Sequence, residues 1–356
     1  MIGGIAMFGG LVCATVMLPA AEPKLGALLA ASALLVIIGL WDDYRGLSVR
    51  TRFAVQIGAA LLMIYWVEVS LHDLGDLFWP GATFALGLCA VPFTVFCTVG
   101  VINAMNMVDG LDGLAGGIAG MSLLLLAWAA FVAGLYTDVH LLLVAAGVVF
   151  TFLCFNLRFP WRRRGAKVFM GNAGSMFLGL ILAWFLIRLS QGELRAFTPV
   201  TALYLFGLPL LDMFTLTVRR IVKHRSPFAA DREHLHHLLM RAGYSVNQSV
   251  MIMWGLALGL GITGLAGLYF RIAESVMFYT FLGLCSLYFY ATTRAIEVMK
   301  VIEHRVATGR AEFSTVPFSG RLVLDTAFRK SVEYAARGRV YRRVNGRRQS
   351  LHPRAR

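Results

Sequence analysis

Long apolar runs alternate with short polar segments along almost the whole chain, and the length of the runs decides what they are. A helix needs roughly 17 to 25 apolar residues to cross about 30 Å of hydrocarbon. Runs near that length are read at about 3–20, 25–40, 53–70, 81–101, 116–135, 139–155, 168–189, 199–218, 247–269 and 274–293. The pattern reads as ten spans. It predicts an all-α, polytopic membrane protein with about ten transmembrane helices, residues 1–300 forming the membrane domain and 301–356 a basic tail. Composition agrees: of 356 residues, 58% are hydrophobic and 15% charged, with mean hydropathy +0.70, whereas soluble chains carry about a quarter charged residues.

Loop charge supplies the orientation, because cytoplasmic loops hold the Lys and Arg. If loops alternate sides, one side takes all but four of the 33 basic residues, including Arg45, Arg50 and Arg52, the group Arg158, Arg162, Arg163, Arg164 and Lys167, and the whole tail. Only Lys24, Arg188, Arg195 and Arg271 fall on the other. Both termini are therefore expected in the cytoplasm. Residues 294–356 hold 15 basic and 5 acidic side chains, which accounts for most of the net charge of +14. A basic segment next to the membrane is drawn to anionic lipid, and no nucleic-acid partner is expected. The five cysteines lie in or beside apolar runs without paired spacing and read as packing residues.

The polar segments differ by side. Those on the basic side read WDDYRGLSVRTR, NAMNMVDGLDGLAGG, NLRFPWRRRGAKVFMGNAGS and RRIVKHRSPFAADREHLHHLL; those on the other, such as SLHDLGDLFWPG and SQGELRAF, are short and ordinary. Asp42, Asp43, Asp109 and Asp112 would repel one another at one membrane surface unless a cation lay among them. Asp109 and Asp112 are three apart and share a face if helical. Hard oxygen donors with open positions suit Mg²⁺, with Mn²⁺ as an alternative. Arg45, Arg50, Arg52 and the run from Arg162 to Lys167 can neutralise phosphate oxygens, or serve only as topology signals. GNAGS opens an apolar run and could offer helix amides to a phosphate. His234, His236 and His237 can donate to phosphates or relay protons near neutral pH; zinc is the weaker reading, since no cysteine is near. Asp212, an acid inside the eighth run, is either functional or a packing hydrogen bond.

In order and spacing, WDDYRGLSVRTRFAVQ, NAMNMVDGLDGLAGG, KVFMGNAGS and SPFAADREHLHHLLMRAG resemble the polyprenyl-phosphate N-acetylhexosamine-1-phosphate transferases, most closely the WecA-like branch that uses UDP-N-acetylglucosamine. The resemblance runs from residue 1 to about 300. It implies Mg²⁺-dependent transfer of a sugar-1-phosphate from a UDP-N-acetylhexosamine to undecaprenyl phosphate, with release of UMP, on the cytoplasmic face of a bacterial cytoplasmic (inner) membrane. Such a step initiates a lipid-linked glycan, O-antigen or another envelope polysaccharide. It also implies roles: Asp42, Asp43, Asp109 and Asp112 catalytic; Asp42, Asp43, Asp112 and Asn172 on the metal; Arg52, Asn106, Asn156, His234, His236 and His237 on the substrates, Asn156 at the nucleotide. Assembly as a homodimer is left open.

Two departures from the family stand out. Its MGDAGS motif has an acid where this chain has Asn172, and MIGGIAMFGG corresponds to the family's second span, so the first is expected to be missing. These keep a second reading in view, a non-catalytic membrane scaffold that binds lipid-linked sugar.

Overall fold

The computed structural model describes residues 2–16, 23–158, 165–226 and 233–307. Arg162, Arg163, Arg164, Arg232 and the tail beyond residue 307 lie outside the described residues. The described residues fall into two compact units, one drawn from residues 1–229 with 250–287 and the other from 230–249 with 288–307.

The described chain is helical, its strand-like pairing limited to an isolated bridge between Asp73 and Ala85. The helices are α1 (Gly3–Val16), α2 (Pro23–Arg45), α3 (Val49–Val67), α4 (Ala90–Val108), α5 (Leu114–Val132), α6 (Tyr136–Asn156), α7 (Gly171–Arg188), α8 (Pro199–Leu205), α9 (Gly207–Val222), α10 (Leu235–Arg241), α11 (Val246–Tyr269) and α12 (Glu274–Ala307). A helix occupies each of the ten expected spans. Seven are long and apolar enough to cross a membrane singly, and α8 with α9 makes an eighth as a bent pair. Helix α1 has 14 described residues, and α3 opens with Arg50 and Arg52 and carries Gln56. The chain is thus a multi-pass membrane protein.

Two expected spans differ in detail. The fourth lies further along than the apolar run suggests: its helical stretch is Gly87–Val108, which places Asn103 and Asn106 inside α4. Residues before it fold back instead, with Leu74 N–H donating to Phe84 O at 2.9 Å and Phe84 N–H to Gly75 O at 2.8 Å. The eighth bends by 86° between α8 and α9. Pro209 has no N–H for the carbonyl of Leu205 four residues back. Ser122 Oγ donates to that carbonyl at 2.8 Å instead, as buried hydroxyls do where a membrane helix is broken.

Helix α7 is apolar on every side and buried from Ala173 to Ile187, as a helix without a polar face must be. Small residues let neighbours close on it, the usual means of helix association where lipid offers no hydrophobic drive. A Cβ on Gly39 of α2 would lie 2.4 Å from Ala173 Cα, one on Gly4 of α1 2.5 Å from Gly174 N, and one on Gly179 2.6 Å from Ile102 Cα of α4. Ala31, Leu35, Ala59, Ile102, Met176 and Leu180 fill the core around it.

The first unit has two chemically different ends. At one, Gln191 Oε1 accepts from His72 N–H at 2.8 Å, Gln191 Nε2 donates to Asp73 O at 3.1 Å, and Arg195 lies 3.7 Å from Glu274. Arg188 at the C-terminus of α7 pairs with Asp138 at the N-terminus of α6 at 2.6 Å, each charge opposing its helix dipole. The polar segments around residues 42–52, 103–117, 156–158 and 165–175 gather at the other end, as their alternation along the chain requires.

Candidate functional site

The site in the first unit is built around the N-terminus of α7. Gly171 opens this helix with φ of +73°, a conformation open to glycine at little steric cost. The following N–H, of Asn172, donates to Asp43 Oδ1 at 2.9 Å. An acid from the end of α2 thereby sits on the positive end of α7. The other oxygen, Asp43 Oδ2, is buried and has no hydrogen-bond partner among the described residues. The amide expected to face a phosphate is thus given to Asp43.

Asp42, one residue earlier, has different surroundings. It is buried, its Oδ1 accepts from Leu47 N–H at 2.6 Å, and its Oδ2 pairs with Arg52 Nη1 at 3.4 Å. Both oxygens help hold the turn that joins α2 to α3. Arg52 therefore reaches the site through Asp42.

Asp109 follows the last residue of α4, at the negative end of that helix, where an acid is disfavoured. Burial, reinforced by the charge of Asp112 and then of Asp43, pushes its pKa up from 3.8 to about 7. Asp112 escapes part of this repulsion because Arg158 Nε donates to its Oδ2 at 2.6 Å. Sequence reasoning placed Arg158 in a topology cluster and missed this pairing, since the two residues are 46 apart in the chain.

The amides form a scaffold beneath the acids. Asn106 Nδ2 donates to Asn172 Oδ1 at 2.8 Å and to Ser175 Oγ at 2.9 Å. One turn earlier on α4, Asn103 Nδ2 donates to Gln56 Oε1 at 2.7 Å. Asn156, expected at the nucleotide, is 5% exposed and bridges two loops: its Oδ1 accepts from Gly113 N–H at 2.6 Å, and its Nδ2 donates to Val168 O at 2.8 Å. It fastens the segment bearing Asp109 and Asp112 to the one leading into α7.

These donors fit a small hard cation. Asp43 Oδ2 is an unpartnered buried oxygen, Asp109 is held against two like charges, and carboxylate oxygens are what Mg²⁺ prefers. No group of three acidic, imidazole or thiol side chains is close enough to enclose an ion among the described residues. An ion here would rest on one or two carboxylates and complete its shell with water and phosphate oxygens, the usual habit of Mg²⁺.

The second unit carries the imidazole cluster. His234 and His236 are buried and their rings stack 5.4 Å apart at 18°, while His236 and His237 lie 4.2 Å apart. The three rings at the start of α10 form one compact group, as their spacing predicts.

Comparison with known proteins gives this geometry a context. Residues 25–190, which contain Asp42, Asp43, Asp109, Asp112, Asn156 and Asn172, match the family model described as glycosyl transferase family 4. Curated relatives named undecaprenyl-phosphate alpha-N-acetylglucosaminyl 1-phosphate transferase extend the match. The Salmonella typhi protein is 34% identical over 304 residues, 85% of this chain and 82% of the relative. The Escherichia coli K12 protein is 34% identical over 306 residues, and that of Yersinia pestis 35% over 305, each again 85% of this chain and 82% of the relative. Identity sustained over that length, with the family match spanning the acids and amides, shows that the chain belongs to glycosyl transferase family 4.

Proposed function

We propose that the chain transfers N-acetylglucosamine-1-phosphate from UDP-N-acetylglucosamine to undecaprenyl phosphate at the cytoplasmic surface of a bacterial membrane, with Mg²⁺ bound. The observation that carries the reading is the convergence of Asp43, Asp109 and Asp112 on one end of the bundle, among Arg52 and Arg158. Relatives 34% identical over 85% of this chain are named undecaprenyl-phosphate alpha-N-acetylglucosaminyl 1-phosphate transferase.

In the reaction an oxygen of the lipid phosphate attacks the β-phosphorus of the UDP-sugar. The bond from that phosphorus to the bridging oxygen breaks, and UMP leaves with the electron pair. The lipid phosphate, a monoester with a second pKa near 6, arrives largely as the dianion. Catalysis is then mostly positioning and charge neutralisation. Mg²⁺, when bound, draws off negative charge from both anionic reactants. Asp43 would hold it through Oδ2, with Asp112 as the second oxygen donor and Asp109 beside them. Asn172 shapes this set through its backbone N–H, and its side-chain oxygen already accepts from Asn106. Arg52 fixes Asp42 and with it the turn next to Asp43. Asn156 keeps the two loops in register.

The direct test is UMP release by the purified chain in detergent, with undecaprenyl phosphate and UDP-N-acetylglucosamine, with and without Mg²⁺. Release that requires all three components is expected. No release under any divalent ion would refute the reading and leave a protein that binds lipid-linked sugar without turning it over, as an amide at residue 172 would favour. Replacing the donor with UDP-N-acetylgalactosamine tests the choice of sugar.

A further inference from the structure

Arg158 is more than a topology signal. Its Nε lies 2.6 Å from Asp112 Oδ2, and the two side chains differ in exposure, 46% for the arginine and 10% for the aspartate. The carboxylate is thus mostly buried while the guanidinium is about half exposed. Gly165 faces the pair from the segment leading to α7: a Cβ there would meet Arg158 Nε at 3.8 Å and Asp112 Oδ2 at 4.0 Å. Asp112 also bears on Asp109, which has two acidic neighbours. A positive charge on Asp112 is therefore needed whenever no metal is present.

From this geometry we propose that Arg158 is an exchangeable counter-ion: it neutralises Asp112 in the empty site, yields that oxygen to a divalent cation, and moves onto the diphosphate that arrives with the UDP-sugar. The inference rests on the proposed transferase reading and adds a binding residue and an order of events to it. A guanidinium 2.6 Å from Oδ2 and a cation about 2 Å from the same oxygen would repel each other across one carboxylate, so the two compete for it. Asp112 is mostly buried, so the arginine leaves it only as the cation takes over its charge. The nucleotide diphosphate then offers it a better partner, since the planar fork of arginine matches phosphate oxygens in pairs. Charge stays balanced at each stage: arginine on Asp112 before binding, metal on Asp112 and arginine on phosphate after it.

The exchange has an opposed-sign signature that a merely structural arginine would not produce. Arg158→Gln removes the competitor for Asp112, so the detergent-purified full chain should bind Mn²⁺ alone two- to fivefold more tightly, read by electron paramagnetic resonance. The same variant should bind UDP-N-acetylglucosamine about tenfold more weakly in the presence of Mn²⁺, read by titration calorimetry, which needs no turnover. Arg158→Lys keeps the charge and should stay near wild type for Mn²⁺ while losing part of the nucleotide-sugar affinity. Mn²⁺ affinity that is unchanged or weaker in Arg158→Gln overturns the exchange. Unchanged UDP-sugar affinity overturns the transfer of the arginine to phosphate. If neither wild type nor variant binds Mn²⁺, the metal reading and the exchange fall together. If both binding signatures hold and no UMP is released, the exchange stands and the transferase reading is what fails.

Discussion

Asn156 separates two meanings of a site residue, and a substitution there can tell them apart. Its amide is spent on backbone: Oδ1 accepts from Gly113 N–H at 2.6 Å and Nδ2 donates to Val168 O at 2.8 Å. Asn156→Ala leaves both groups without that partner. An orphaned buried group costs ~1–3 kcal/mol. The hydrogen bond from Gly113 is buried and that to Val168 only partly so; the first penalty applies in full and water relieves part of the second, for a total of ~2–4 kcal/mol. A melting temperature in detergent should fall by at least about 4 °C, at roughly 2 °C per kcal/mol for a large chain. Turnover should fall more than tenfold even at saturating UDP-sugar, because the loop carrying Asp109 and Asp112 is no longer tied to the N-terminus of α7, and a misplacement of ~1 Å in such a site costs about a hundredfold. Asn156→Asp should do no better, since it keeps the acceptor for Gly113 but turns a negative oxygen toward the Val168 carbonyl. Melting curves together with kcat and KM for UDP-N-acetylglucosamine check this. Wild-type melting with a raised KM and an unchanged kcat would refute the bridging argument and return Asn156 to the nucleotide.

Other outcomes follow from the same geometry. Asp43→Asn should cost at least tenfold in turnover, about 1.4 kcal/mol of barrier, with normal membrane insertion and weakened Mn²⁺ binding, whereas Asp42→Asn should lower the melting temperature as well because Asp42 anchors Leu47 and Arg52. In EDTA, Asp109→Asn should raise the melting temperature more at pH 8 than at pH 5: the fold disfavours ionised Asp109, so its cost grows as pH climbs from its ordinary 3.8 through about 7, and an equal gain at both pH values would contradict it. Gly39→Ala places a Cβ 2.4 Å from Ala173 Cα and should reduce folded yield and turnover together, checked by gel filtration and UMP release. In a cysteine-free background, single cysteines at residues 73 and 191 should react with an impermeant reagent in intact cells, and one at residue 236 should not.

The apolar runs by themselves determined that this is an all-α, multi-pass membrane protein, because a bilayer leaves a single chain of such composition little but helices and imposes their length. They also indicated which polar segments would gather, since acids, amides and glycines fell on alternate loops, and alternate loops of a helical bundle share an end. What the runs could not contain was pairing. Asp42 and Asp43 are neighbours in sequence, yet about 100° of helical rotation between consecutive residues sends one to Leu47 and Arg52 and the other to Asn172, 129 residues away. The partnership of Arg158 with Asp112, the bridging by Asn156 of Gly113 and Val168, and the Asn106–Asn172–Ser175 contact likewise exist only because α2, α4 and α6 close on α7 and its entry loop. The break at Phe206 had its cause in Pro209, but its tolerance depended on Ser122, 83 residues from the Leu205 carbonyl it satisfies. Hydropathy is a property of each residue and its immediate neighbours, and so it was legible locally. Which oxygen remains free for a cation is decided by how helices approach one another, and that is set by small residues such as Gly39 and Gly4 meeting Ala173 and Gly174 across the bundle.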